Sequence, residues 1–163
     1  MEQHRRPFLE AYGQAMLSWQ TVELCLLQLF LAVIRAPNMQ VASAVYHAVP
    51  SANTRLEMIT EGIKVALPEA TQEWKKLRKK IEKHAVKRNA LAHYTVIERF
   101  RQDGSFVNMY LSRSIFDTCD KQREEIKLQE LDEYKRLFGQ LAKMIEEFFM
   151  KISAAGDANQ TPC

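Results

Sequence analysis

The first third of the chain predicts a long helix with apolar residues on most of its surface. Pro7 suits a helix start, and the helix is expected from residue 8 to about residue 35. Its polar residues Gln14, Thr21, Gln28 and Arg35 recur every seven positions and form a narrow polar stripe. A helix that is apolar around so much of its circumference is typical of the centre of a protein, where neighbouring elements cover it on several sides.

Shorter helices follow, each separated from the next by proline. A helix over residues 39–48 ends before Pro50, and Ser51 is a suitable N-cap for a helix that reaches about residue 67. The apolar face of that helix consists of Leu56, Ile59, Ile63 and Leu67. Pro68 then precedes a helix over residues 69–93. Its core-like positions are Trp74, Leu77, Ile81, Ala85 and Ala92.

The hydrophobic period changes after residue 93. Residues 94–101 and 106–113 are rich in β-branched and aromatic side chains, and Asp103-Gly104 lies between them. This pattern predicts a β-hairpin with either a two-residue or a slightly longer loop. Because two strands alone are marginally stable, the hairpin must pack on the helices or on a second subunit. Residues 114–127 are ambiguous, and a last helix with a broad apolar face is expected over residues 129–152.

These elements together predict an all-α fold. The expected architecture is an up-and-down four-helix bundle with an additional short helix and an inserted β-hairpin. A chain of 163 residues has the size of one domain. We therefore expect a single helical domain over residues 1–153, followed by a flexible C-terminal tail over residues 154–163, which are small and polar.

The composition favours a cytoplasmic protein. Cys25, Cys119 and Cys163 are far apart and form no CxxC pair, which is typical of a reducing compartment. The start lacks the apolar segment of a signal peptide. The most hydrophobic segment, residues 24–34, is shorter than the ~20 residues that span a bilayer. The histidines show no metal-site spacing, and no Gly-rich phosphate loop occurs. We expect no membrane contact, no metal and no cofactor.

The helix over residues 69–93 concentrates positive charge, although the net charge of the chain is only +3. Its cations are Lys75, Lys76, Arg78, Lys79, Lys80, Lys83, Lys87 and Arg88, opposed only by Glu73 and Glu82. This surface is either a solvated helix face or one that steers phosphates. Arg88 lies in register with the apolar face, so its guanidinium needs a partner or a cleft. A partner such as Glu133 or Glu146 on the last helix is the structural alternative.

The end of this helix combines groups that can cleave RNA without a metal. Its sequence is Arg88-Asn89-Ala90-Leu91-Ala92-His93. Arg88 supplies a permanent cation for a phosphodiester, and His93 supplies a group that exchanges protons near neutrality. Asn89 precedes His93 by one helical turn and can orient the imidazole or bind a phosphate oxygen. The base would remove the 2′-hydroxyl proton while the cation stabilises the charged phosphorane. Alternatively, His93 is only a C-cap or a core residue.

This segment resembles the HEPN superfamily, whose name stands for higher eukaryotes and prokaryotes nucleotide-binding. In that superfamily an arginine and a nearby histidine at the end of a helix, within a small bundle, mark metal-independent endoribonucleases. The resemblance implies that Arg88 and His93 form the catalytic pair and that Asn89 is the common polar residue after the arginine. It also implies a homodimer, a toxin or defence-like role, and an antitoxin or nucleotidyltransferase partner.

Residues next to the motif are expected to bind the RNA. They are Lys83, His84, Lys87 and Tyr94, although His84 could also be an ordinary surface histidine. A subset of toxins in the superfamily carries a tyrosine two residues after the histidine, as a target of nucleotidylation. This chain has Thr95 at that position and Tyr94 directly after His93, so it departs from the pattern that such regulation uses.

Three questions stay open at the level of sequence. A similar arginine–histidine spacing occurs at Arg78 and His84, in the middle of the same helix. In a regular helix Arg88 and His93 lie about 140° apart, so either the helix unwinds near its end or two subunits complete the site. The alternatives to a ribonuclease are a non-catalytic dimerisation or adaptor protein of the same fold, and a bundle that binds a small ligand in a Met- and Phe-rich core.

Overall fold

The computed structural model describes residues 2–113 and 125–158 and is mostly helical. Within these ranges there are five α-helices: α1 (Glu2–Val33), α2 (Met39–Ala48), α3 (Ala52–Ala66), α4 (Thr71–His93) and α5 (Leu128–Ala158). The described strands are β1 (Thr95–Phe100), β2 (Phe106–Ser112) and β3 (Glu125–Ile126), in one sheet of order β1-β2-β3. The predicted helices and hairpin are confirmed, but the hairpin belongs to a three-stranded sheet.

The chain divides into two compact units. The first, which we call the hairpin unit, comprises Met1–Gln20 and Lys83–Gly139. The second, the helical unit, comprises Thr21–Glu82 and Gln140–Cys163. Helices α1, α4 and α5 each contribute a segment to both units. The expected catalytic and RNA-binding residues all belong to the hairpin unit.

The sheet of the hairpin unit is antiparallel throughout. β1 pairs with β2 in the register Ile97↔Tyr110, with an irregularity between Arg99 and Phe100. Residues 101–105 connect the two strands, so the longer of the two expected loops is the one observed. Gly104 there has φ +79°, which a residue with a side chain rarely adopts. β3 adds only two residue pairs to β2, including Leu111↔Ile126, and a strand this short leaves no alternating pattern in the sequence.

Helix α1 begins at Glu2, so the predicted start after Pro7 was wrong. Proline inside a helix removes one backbone hydrogen bond, which requires compensation from other contacts. Arg5 forms a salt bridge with Glu98 of β1, with Nε and Oε1 2.7 Å apart, and Phe8 is buried. These contacts hold the turns on either side of Pro7 in the hairpin unit.

The helical unit follows its sequence signals closely. Ser51 is the N-cap of α3, and its Oγ accepts a hydrogen bond from the Thr54 amide at 3.3 Å. The expected apolar face of α3 is buried, as are Trp74, Leu77 and Ile81 of α4. The buried hydroxyl of Thr60 accepts a hydrogen bond from the indole Nε1 of Trp74 at 2.8 Å and donates to the Leu56 carbonyl.

Two helix ends differ from expectation. Ala92 was assigned to the core face of α4, but it is exposed, whereas the adjacent Leu91 is fully buried. Helix α5 continues through Ala158 instead of ending at residue 152, since no proline interrupts the segment and alanine extends helices. Residues 114–124, which the sequence leaves ambiguous, and the tail residues 159–163 lie outside the described residues.

Helix α1 exposes more apolar surface than its narrow polar stripe predicts. Leu9 and Leu17 are 48% and 61% exposed, respectively. Among the described residues, Arg5–Val33 is the one helical segment long and apolar enough to cross a membrane, judged by length and composition alone. The most hydrophobic run of the sequence, residues 24–34, is only part of this segment. Core helices of soluble proteins meet the same criterion, so the cytoplasmic location stays a prediction.

Gly62 of α3 marks a close approach that a substitution would test. A Cβ at Gly62 would lie 2.6 Å from Cγ1 of the buried Val33, whose branched side chain cannot turn away easily. We expect Gly62→Ala to lower the free energy of unfolding by about 1–3 kcal/mol, despite the better helix propensity of alanine. Urea unfolding followed by circular dichroism measures this change.

The matched control is Gly139→Ala in α5, where an added Cβ meets no atom within 4 Å. That substitution should stabilise the protein by up to about 1 kcal/mol, from helix propensity alone. Equal stabilisation by both substitutions would contradict the close approach of Gly62 and Val33.

Candidate functional site

Residues 88–93 form the end of an unbroken helix. The amide of Tyr94 donates to the Ala90 carbonyl at 2.9 Å, which continues the helical hydrogen bonding past His93. The hydroxyl of Tyr12 on α1 donates to the Leu91 carbonyl at 3.2 Å. Both carbonyls belong to the last turn, where the helix itself supplies no donors. The helix therefore does not unwind at Ala92, and one of the two geometric alternatives is excluded.

Arg88 and Asn89 are joined directly. The side chain of Arg88 is half-buried, and its Nη1 donates a hydrogen bond to Oδ1 of the exposed Asn89 at 3.3 Å. Nε of the same side chain is buried. The described bond therefore joins the Nη1 end of the guanidinium to an exposed neighbour on α4.

His93 lies on a different side of the helix from Arg88. Five residues of a regular helix separate their directions by about 140°, whereas Asn89 and His93 are only about 40° apart. His93 is exposed, and Arg88 is half-buried. On a single protomer, Asn89 is therefore bonded to Arg88 and shares a helix face with His93, but Arg88 and His93 do not lie on one face.

The expected RNA-binding residues have different surroundings. Lys83 is exposed, whereas Lys87 is half-buried with its Nζ 4.4 Å from the ring centre of Tyr134. His84 is half-buried, and its ring meets the edge of Phe138 at a centroid distance of 6.4 Å. Tyr94 is half-buried. Lys83 is thus more accessible than Lys87, whose ammonium is held against the ring of Tyr134 on α5.

Arg78, the competing sequence match, is already committed to carboxylates in the helical unit. Its Nη1 lies 2.6 Å from Oε2 of Glu57, and its Nε lies 2.8 Å from Oε1 of Glu82. Nη1 also donates to the buried Thr60 hydroxyl at 2.9 Å. The hydrogen bond from Arg78 lowers the pKa of Glu57 from its ordinary value. These bonds explain Arg78 as a structural residue and disfavour it as a phosphate ligand.

The acidic residues of α4 do not neutralise its lysines. Glu82 is bonded to Arg78, and Glu73 is bonded to Lys151 of α5. Exposed lysines remain along this part of the helix: Lys75, Lys76, Lys79 and Lys80. Three of these four line an open groove together with Gln72, Arg78 and Glu82. This surface attracts polyanions through long-range electrostatics, without implying a specific site.

Two aromatic residues that support the site were not singled out from the sequence. Tyr12 satisfies a carbonyl of the motif, and Tyr134 receives the ammonium of Lys87. Both occupy positions that the hydrophobic pattern of an amphipathic helix assigns to the core, and this pattern does not show which partner a tyrosine hydroxyl or ring contacts. Their roles depend on which helix lies opposite, and periodicity does not specify this.

Neither the described side chains nor the comparisons with known proteins assign a metal or a family to the site. Among residues 2–113 and 125–158, no three His, Cys, Asp or Glu side chains come together to hold a metal ion. No protein-family model, curated protein or solved structure matches this chain. The functional assignment therefore rests on the motif and its surroundings.

The different environments of the α4 cations predict different effects on stability. We expect Arg78→Gln to lower the free energy of unfolding by about 1 kcal/mol, because the hydrogen bond to the buried Thr60 hydroxyl is lost. Lys79→Gln removes the same charge from an exposed neighbour and should change stability by less than about 0.5 kcal/mol. Urea unfolding at pH 7 measures both values, and equal effects would refute the structural role of Arg78.

The pH dependence of this difference has a defined sign. The pKa of Glu57 is lowered in the folded protein by Arg78, so the stabilisation of the folded state by this ion pair is complete at neutral pH. This stabilisation is lost as the pH falls through the folded pKa of Glu57. The difference in free energy of unfolding between wild type and Arg78→Gln should therefore become smaller when the measurement is repeated in acid.

Proposed function

We propose that this protein is a metal-independent endoribonuclease of the HEPN type. The observation that carries the proposal is the motif Arg-Asn-x-x-x-His at the end of an unbroken helix, with His93 exposed and Arg88 bonded to Asn89. The competing pair is disfavoured because Arg78 is held by Glu57 and Glu82. A toxin or defence role, with an antitoxin or nucleotidyltransferase partner, belongs to the same proposal.

In the proposed reaction His93 acts as general base. Its neutral imidazole removes the proton of the ribose 2′-hydroxyl, and the oxygen attacks the adjacent phosphorus. Arg88 stabilises the charge that develops on the phosphorane, and Asn89 orients both groups. The bond to the 5′-oxygen breaks and that oxygen takes up a proton, which leaves a 2′,3′-cyclic phosphate and a 5′-hydroxyl.

Helix geometry supports a homodimer in this proposal. Because α4 stays regular through His93, the two catalytic side chains point about 140° apart on one protomer. A two-fold axis near the motif would place Arg88 of each subunit beside the other subunit's histidine. We also propose that the long helices pack as an up-and-down four-helix bundle, with α2 and the hairpin as additions.

RNA would approach along the basic surface of α4. Lys83 and Lys87 precede the motif by one to two turns, and Tyr94 follows it directly. Exposed lysines provide a non-specific attraction that weakens with salt. Arg88 then supplies the bidentate contact to one phosphate that lysine does not provide.

The exposed apolar face of α1 favours a second candidate, a non-catalytic dimerisation or adaptor protein. Leu9, Gly13 and Leu17 lie within about 80° of one another around the helix. Both leucines are exposed, and the space beside Gly13 is open. Exposed apolar residues in a group are typical of surfaces that bind another protein. This surface is compatible with a dimer with or without catalysis, so activity decides between the two candidates.

Cleavage of mixed single-stranded RNA in EDTA tests the proposed function directly. The wild type should produce fragments with 2′,3′-cyclic phosphate ends, because no metal is required. Arg88→Ala and His93→Ala should each reduce the rate at least about 100-fold, the usual size of acid–base and electrostatic contributions. Product ends are identified by mass spectrometry.

Two controls make this result specific. Arg78→Ala removes the competing arginine and should keep the cleavage rate of the folded fraction, and circular dichroism verifies folding of every variant. Absence of cleavage by the wild type on several RNAs would favour the adaptor. Activity that persists in both motif variants would indicate a contaminating nuclease.

A mixing experiment tests the shared site. Arg88→Ala and His93→Ala proteins, each inactive alone, are unfolded together and refolded. If each site takes its arginine and histidine from different subunits, half of the dimers are mixed and one of their two sites is intact, which restores about one quarter of wild-type activity. Failure of the mixture to regain activity, with mixed dimers verified by native mass spectrometry, would contradict the shared site.

A further inference from the structure

The hairpin unit contains a pocket beside the start of α5. Its volume is about 320 Å³, at the lower end of the range for small-molecule sites. The pocket is mainly apolar and is lined by Phe8, Phe106, Asn108, Met109, Lys127 and Leu128. Two aromatic rings in a pocket of this size suit one small planar group.

The lining of this apolar pocket includes one buried hydrogen-bond acceptor, on Asn108, that needs a donor. Its Oδ1 atom is buried and has no hydrogen-bond partner among the described residues. A buried acceptor without a donor is unfavourable, and native proteins leave few of them. A ligand that brings an N–H group into the pocket would satisfy this oxygen.

The start of α5 adds a preference for an anion. Lys127 precedes the helix, and its backbone amide is satisfied by Glu130 at 2.9 Å, as in a capping box. The next two amides, of Leu128 and Gln129, have no acceptor within the helix. The Lys127 ammonium is exposed and 4.0 Å from Glu125, whose carboxylate is bonded to Arg99 at 2.8 Å. A helix start next to a lysine favours a phosphate.

Helix α1 contributes residues both to the pocket and to a contact with the Arg88–His93 motif. Tyr12 of α1 is bonded to Leu91 of the motif, and Phe8 of the pocket precedes Tyr12 by one turn. These two residues of α1 are about 6 Å apart along the helix axis. Motif and pocket both belong to the hairpin unit.

We propose that this pocket binds one nucleotide, with an amino-bearing base near Phe8 and Phe106 and the phosphate at the start of α5. Asn108 accepts a hydrogen bond from the amino group of adenine, cytosine or guanine. Uracil has only a ring N–H between two carbonyl oxygens, which would face the buried oxygen unfavourably. The proposal rests on the proposed function where the nucleotide belongs to the RNA substrate, and a free nucleotide offers the same chemistry.

Binding of RNA that differs by one amino group tests the pocket without altering it. Full-length His93→Ala protein in EDTA is titrated into fluorescein-labelled oligonucleotides of adenosine, purine riboside or uridine, and anisotropy reports binding. Purine riboside lacks only the amino group of adenosine. We expect the adenosine oligonucleotide to bind about 10-fold more tightly than either of the others.

Two substitutions assign the effect to this pocket. Asn108→Leu should abolish the preference, so that adenosine and purine riboside oligonucleotides bind alike. Lys127→Gln should weaken both by a similar factor and reduce the salt dependence by about one phosphate contact. Lys143→Gln, an exposed lysine of α5 outside the pocket, is the matched control and should leave both affinities unchanged.

The outcomes separate this proposal from the proposed ribonuclease. If the His93→Ala protein binds the three oligonucleotides equally, the proposed nucleotide pocket is refuted, whether or not the wild type cleaves RNA. A preference that depends on Asn108, without cleavage by the wild type, supports the pocket and rejects the nuclease. Calorimetry with AMP and UMP identifies a free nucleotide as the source if AMP alone binds and RNA does not. Binding of neither RNA nor AMP overturns the proposal.

Discussion

The regular hydrogen bonding of α4 up to His93 is the constraint on which the functional interpretation depends. The Tyr94 amide and the Tyr12 hydroxyl donate hydrogen bonds to carbonyls of the last turn, and these bonds stabilise its helical conformation. A regular helix fixes the directions of its side chains. Arg88 and His93 are consequently kept apart on one protomer. In the proposed reaction, which needs both residues, a second chain would supply one of them, and activity would then depend on dimerisation.

The contrast between Arg78 and Arg88 shows why spacing alone does not define a site. Both arginines are on α4 and have a histidine at a suitable distance in sequence. Arg78 lies among carboxylates and the Thr60 hydroxyl, so its donors serve the fold. Within the described residues, Arg88 donates to the amide oxygen of Asn89. Two carboxylates hold a guanidinium against competition from a phosphate, which disfavours Arg78 as a phosphate ligand.

The sequence predicted those elements whose signals are local. Ser51 as an N-cap, the prolines between helices and the Asp103-Gly104 turn all depend on nearby residues, and the structure confirms them. The features that were missed depend on tertiary contacts. Helix α1 continues through Pro7 because Arg5 and Phe8 are anchored elsewhere in the hairpin unit. For the site, the residue types and the helix end were predictable, but the bond between Arg88 and Asn89 and the role of Tyr12 required coordinates.

The proposed nucleotide pocket would add to the site what the Arg88–His93 motif alone does not provide. A base and a cation act on the sugar and the phosphate, which are the same in every nucleotide, so the motif by itself cannot distinguish sequences. Distinguishing bases requires a buried polar group in an apolar surrounding, where an unmet hydrogen bond is costly. Asn108 on β2 is such a group, and the start of α5 beside it supplies positive potential. Catalysis and base selection would then reside on different elements of one unit, and each could change without the other.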